Sequence, residues 1–135
     1  MTSNTPFHVY LYGPDGGPMS SRFDDVAERL GEVPRLYFEP DGSLVWVGDD
    51  WQIDGMLYDR EGLLQYADLK GHAPWVRWRE LVERIINPIY PPPIPKAVPS
   101  ASVLHLIDRS LHDLQTFERI LWGEAAAGDC SATSD

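Results

Sequence analysis

The sequence predicts an α+β fold. It reads as an antiparallel sheet of about five strands (strand, helix, four-strand meander, helix), followed by a proline-rich arm and a long C-terminal amphipathic helix. Three observations carry that expectation. Residues 7–12 alternate apolar and polar side chains with the period of a strand. Between residues 34 and 70, strand-forming runs are separated by turns too short for a crossover helix. Residues 75–87 and 102–122 carry apolar side chains at helical spacing.

Phe7, Val9 and Leu11 form one side of the first strand; His8, Tyr10 and Tyr12 form the other. Residues 13–18, GPDGGP, make a loop, because glycine and proline break regular structure. Ser20 or Ser21 is then placed to cap a helix that runs to about Leu30, with Phe23, Val26, Ala27 and Leu30 as its apolar stripe and Gly31 as its stop. Residues 35–39 and 43–47 flank Pro40, Asp41 and Gly42. Proline presets the turn, aspartate tolerates the bend and glycine supplies a positive φ, so the segment is a hairpin. Residues 51–58 and 63–69 complete the meander around a turn at 59–62.

Pro74 suits the first turn of a helix. In the helix at 75–87, Trp75, Trp78, Leu81, Val82, Ile85 and Ile86 fall within one arc, and Arg77, Glu80, Glu83 and Arg84 lie opposite. Residues 88–99 contain six prolines, which lack an N–H and fix φ. Such an arm is extended, reaches ~35 Å, and is expected to carry the last helix to a distant place. That helix, expected at 102–122 and capped by Ser100 or Ser102, bears Leu104, Ile107, Leu111, Leu114 and Leu121 along a coiled-coil-like seam that Glu118 interrupts. The expected divisions are a compact α+β domain at 1–87, the arm at 88–99, the helix at 100–122 packing on the domain or on a partner subunit, and a disordered tail at 123–135.

The chain has 135 residues, 43% of them hydrophobic, which suits one globular domain that needs no disulfide or metal staple. Its net charge of -10 speaks against duplex DNA or anionic lipid as a partner, since phosphates are repelled over most of the surface. The charge is uneven: residues 1–73 hold 5 basic and 13 acidic side chains, whereas residues 74–99 hold 4 and 2. The single cysteine, Cys130, points to a reducing compartment. With no secretory signal at 1–7 and no apolar run long enough to span a bilayer, the expected location is cytoplasmic, away from membranes.

Motifs for chemistry are sparse. His105, Asp108 and His112 share helical spacing but sit on the polar side, where a solvated face is the simpler reading than a metal site. Asp49, Asp50 and Asp54, near Glu39 and Asp41, match no calcium-loop pattern. The glycine loop at 13–17 lacks a phosphate-binding signature. Ser20, Ser21, Ser43 and Cys130 lie in caps, a turn and a tail, with no nucleophile motif around them. No catalytic residue, metal or cofactor is expected.

The most informative feature is a sheet side bearing His8, Tyr10, Tyr12, Tyr37, Asp54 and Tyr58, since tyrosine combines apolar area with a hydrogen-bonding tip. Either the last helix covers that side as core, or it is a ligand or partner surface. The leading expectation is a small acidic, non-enzymatic binding module, pairing with a second copy or another protein through the arm and last helix. The alternative is a small-ligand protein or enzyme using the tyrosine face, with His8 or His72 as base and Asp54 orienting it. A third is an acidic inhibitor or mimic that binds a basic partner.

Overall fold

The computed structural model of the chain describes residues 5–87 and 100–123. Seven strands form one sheet: β1 (Thr5–Tyr12), β2 (Leu36–Phe38), β3 (Ser43–Val47), β4 (Gln52–Arg60), β5 (Leu63–Ala73), β6 (Ser102–His105) and β7 (Ser110–Asp113). Among the described residues, three α-helices accompany them: α1 (Phe23–Gly31), α2 (Trp75–Ile86) and α3 (Leu114–Trp122). The spatial order is β2-β3-β4-β5-β1-β6-β7, and each neighbouring pair is antiparallel. The class is therefore α+β as expected, with seven strands among the described residues rather than about five.

The meander from β2 to β5 obeys its turn chemistry. Asp41 accepts hydrogen bonds from the Ser43 backbone N–H and hydroxyl at 3.0 and 2.7 Å. Gly42 sits at φ +100°, and a Cβ there would lie 2.6 Å from the Leu57 carbonyl, so no other residue fits without movement. The next turn holds Glu61 and Gly62 at φ 54° and 86°, closed by Gly62 N–H donating to Asp59 at 3.0 Å.

All three helices lie on one side of the sheet. Phe7 of β1 meets Trp78 of α2 edge-on at 5.1 Å and Trp122 of α3 at 6.0 Å. Val26 and Leu30 of α1 are fully buried in the same core, which also holds Val9, Leu11, Ile53, Leu57, Leu69 and Val103. Burying this apolar stripe of each helix is the main stabilising term, at roughly 25 cal/mol per Å² removed from water. Ser21 does not cap α1. Its hydroxyl donates to the Ile86 carbonyl at 2.7 Å and ties the start of α1 to the end of α2.

The expected helix over 102–122 is instead a β-hairpin followed by a shorter helix. Strand β6 pairs with β1, and Val103 and His105 point inward while Ser102 and Leu104 point outward. Asp108 accepts from the Ser110 N–H at 3.1 Å and Arg109 adopts φ 58°, which closes the turn without glycine or proline. Asp113 then caps α3 by accepting from Thr116 N–H at 2.9 Å. Ser102, expected as a cap, accepts from Gly16 N–H at 3.1 Å. Leu104, Ile107, Leu111, Leu114 and Leu121 thus form no single seam. Leu104 and Leu111 sit on the sheet, Ile107 is 67% exposed in the turn, Leu114 is buried, and Leu121 is half-buried in α3.

The arm at 88–99 and the tail after Gly123 lie outside the described residues. The arm's flanking residues, however, line one cleft: Asn87 and Ser100 meet there with Gly13, Pro14, Met19 and Ser20. The chain beyond the arm therefore re-enters beside its exit and is not delivered to a distant place. Residues 100–123 join the same sheet and core, with Trp122 Nε1 donating to the Ala73 carbonyl at 2.9 Å. Among the described residues, no helix is long and apolar enough to cross a membrane.

Candidate functional site

The side of the sheet opposite the helices carries the side chains of alternate parity. In β1 these are His8, Tyr10 and Tyr12, and the register sets their neighbours: His8 opposite Lys70, Tyr10 opposite Asp68, Tyr12 opposite Tyr66. Strand β4 continues the rows with Asp54 beside Lys70, Met56 beside Asp68 and Tyr58 beside Tyr66. On the far side of β1, Leu104 lies next to Tyr10 and Leu111 next to Leu104. Among the described elements, no helix lies over this face. The expectation that the last helix covers it is not met, because α3 packs through Phe117 and Trp122 onto Trp78 on the other side.

Four tyrosines form a continuous aromatic cluster at one end of the face. Tyr58 and Tyr66 stack with centroids 4.7 Å apart and planes 19° apart. Tyr66 also touches Tyr12 at 5.6 Å and Tyr10 at 5.2 Å. Such ring pairs contribute about 0.5–1.5 kcal/mol each beyond area burial. Enclosure raises the Tyr66 hydroxyl above the ordinary tyrosine range, chiefly through lost solvation, with the neighbouring Tyr58, Tyr10, Tyr12 and Asp68 charges adding to it.

Beside the tyrosines is a shallow hollow of about 340 Å³ lined by His8, Asp54, Gly55, Met56, Asp68 and Lys70. His8 Nε2 lies 3.1 Å from Asp68 Oδ1. The carboxylate that orients His8 is therefore Asp68, not Asp54, whose oxygen accepts from the Gln52 side-chain amide at 2.8 Å. His72 is on the same face, opposite Pro6 and Gln52. Tyr37 shares the face but lies two strands from Asp54, across Val45, and is 64% exposed.

Of the residues singled out in the sequence, His8, Tyr10, Tyr12, Asp54 and Tyr58 thus share one contiguous surface, and Tyr37 stands apart at its edge. Tyr66, Asp68 and Lys70 belong to the same surface. Parity along residues 63–70 signals Tyr66 and Asp68, but only the register of β1 against β5 brings them next to His8 and Tyr10. The other constellations resolve into local structure. His105 Nδ1 is 3.6 Å from Asp108, while His112 bonds the Ser110 hydroxyl at 2.8 Å. Asp49 pairs with Arg35 at 3.0 Å. Among the described residues, no three His, Cys, Asp or Glu side chains are placed to hold a metal ion.

Compared with known proteins, the chain matches no family model, no curated protein and no solved structure.

Proposed function

We propose that the protein is a non-enzymatic binding module whose contact surface is the open sheet face, and that two copies meet through it. The observation that carries this reading is the tyrosine cluster of Tyr10, Tyr12, Tyr58 and Tyr66 on a sheet whose described helices lie on the other side. Tyrosine-rich surfaces favour protein contacts, since each ring brings apolar area and a hydroxyl. Charge favours a second copy. The exposed side of α1 carries Asp24, Asp25 and Glu28 and repels a like copy, whereas the open face sets Lys70 between Asp54 and His8, beside Asp68. The solitary Cys130 supports a reducing location, the cytoplasm.

Light scattering tests this. The expected mass is a dimer's, falling to a monomer's in Tyr58→Lys/Tyr66→Lys with the circular dichroism spectrum kept. A folded double variant that stays dimeric moves the interface elsewhere. A second reading takes the hollow between His8, Asp68, Asp54 and Lys70 as a small-ligand or catalytic site, supported by the His8–Asp68 pair. It expects Asp68→Asn to abolish ligand-induced shifts of the His8 ring resonances.

A further inference from the structure

A second concave site lies on the opposite side of the molecule, where β3 ends and α2 begins. It is a cleft of about 310 Å³ whose walls include Trp46, Trp51, Arg77, Glu80, Arg35 and Asp49. The two indoles meet edge-to-face, 87° apart with centroids separated by 5.0 Å, and so form a right-angled aromatic corner. The turn beneath them is built for this. Gly48 N–H donates to the Trp51 carbonyl at 2.8 Å, and a Cβ on Gly48 would lie 2.0 Å from the Trp51 ring. Only glycine lets the indole fold back over the turn. Trp46 is buried and its Nε1 donates to the Pro34 carbonyl at 3.3 Å, so Trp51 is the accessible wall.

The corner already faces a guanidinium. Arg77 lies 6.0 Å from the Trp46 ring centre and 5.7 Å from that of Trp51, and Glu80 holds it at 3.2 Å. The negative faces of the indoles suit a cation, and a planar guanidinium stacks on them better than a compact ammonium does. An anionic guest fits worse, because Arg77 and Arg35 are each engaged with a carboxylate, Glu80 and Asp49. These ion pairs, with the Asp49 side chain 96% exposed, leave the rim near neutral, so the ring faces decide in favour of a cation. The chain's net charge of -10 also concentrates cations at its surface.

We propose that the Trp46–Trp51 corner receives the guanidinium of an arginine in a basic peptide, with Arg77 holding that place in the free protein. The cleft has room beside Arg77, and the guest competes with it for the ring faces. This site is independent of the open sheet face.

The test is a titration of the full chain with Nα-acetyl-arginine amide, monitored at the indole N–H resonances of Trp46 and Trp51. Nα-acetyl-lysine amide and the uncharged citrulline analogue serve as comparisons. Arginine is expected to shift both resonances saturably, lysine several-fold more weakly, and citrulline not at all. Trp51→Leu is expected to weaken binding about 10-fold, as loss of a cation–π contact does. Arg77→Gln empties the corner and tightens binding, which gives a readout that does not depend on Trp51→Leu folding. Absence of any shift overturns the proposal. Equal shifts with arginine and lysine, or Arg77→Gln leaving the affinity unchanged, also overturn it, since both mean diffuse attraction to an acidic surface.

Discussion

The two faces of the sheet share every strand yet obey different rules. On the covered face, Phe7, Val9, Leu11 and Leu69 are sealed under helices, and even a charge buried there is fully engaged. Glu118 is 1% exposed, accepts from Trp78 Nε1 at 2.8 Å and Arg79 Nε at 2.9 Å, and forms a second short contact with Arg79 Nη2. On the open face, Tyr10, Tyr12, Tyr58 and Tyr66 pack ring against ring, with Tyr58 exposed and the other three half-buried. One alternating sequence thus encodes a core and an open, tyrosine-bearing face at once, residue by residue along the same strand.

That contrast is breakable by mutation, most strongly on the covered side. Phe7→Ala is expected to cost about 3–5 kcal/mol in urea unfolding, because it removes the ring packed on Trp78 and Trp122. Tyr10→Ala, three positions along the same strand and facing the other way, is expected to cost no more than about 1.5 kcal/mol. Equal costs mean that both faces are buried in solution.

Glu118→Ala comes next, at about 3 kcal/mol, since it removes the acceptor of the Trp78 indole N–H and the nearer carboxylate of the Arg79 guanidinium, leaving it only Glu83 at 3.9 Å. Thermal or chemical unfolding checks it, and Glu118→Ala/Arg79→Met recovers part of the loss if the uncompensated charge is the cause.

A smaller effect belongs to the boundary between hairpin and helix. Asp113→Ala is expected to cost about 1 kcal/mol at neutral pH. The Thr116 hydroxyl and N–H hold the Asp113 carboxyl below its ordinary value of 3.8. Its contribution is therefore present above pH 3.8 and fades as pH falls through the lower folded value. The gap between wild type and Asp113→Ala must close in acid; a gap that persists there rules out the ionised cap.

The weakest effect sharpens the open face. With the Tyr66 hydroxyl raised above the usual tyrosine range by enclosure, its ionisation disfavours the folded state. Stability is expected to be intact below pH 10 and to decline as pH rises through the Tyr66 value, less steeply in Tyr66→Phe. An ultraviolet titration in which Tyr66 ionises together with the exposed tyrosines contradicts an enclosed cluster.

Much of the fold is legible in the sequence alone, and particular residues say why. Proline, aspartate and glycine at 40–42 dictate a hairpin by backbone chemistry, and the alternation at 7–12 separates the two faces without knowledge of any partner strand. The stripe from Trp78 to Ile86 is amphipathic enough to fix α2. Residues 102–113 mislead because Leu104, Ile107 and Leu111 have helical spacing, while the turn at Asp108, Arg109 and Ser110 lacks glycine and proline. Pairing with the free edge of β1 outweighs that local preference. The site divides in the same way. Parity groups His8, Tyr10, Tyr12, Asp54 and Tyr58, but the adjacency of Tyr66, Asp68 and Lys70 is a matter of register, which depends on contacts distant in sequence.

The placement of β1 has a consequence for how the chain acquires its structure. This strand is flanked by β5 on one edge and by β6 on the other. During synthesis it can join β5 once residue 73 has emerged, but its second edge stays bare until residues 102–105 arrive. In that interval it presents an alternating, aromatic edge of the kind that recruits other chains. Pairing so distant in sequence is also slow to find. Truncation ahead of β6 would make the interval permanent, so residues 100–123 act as a guard on the nascent sheet as well as a part of the finished one.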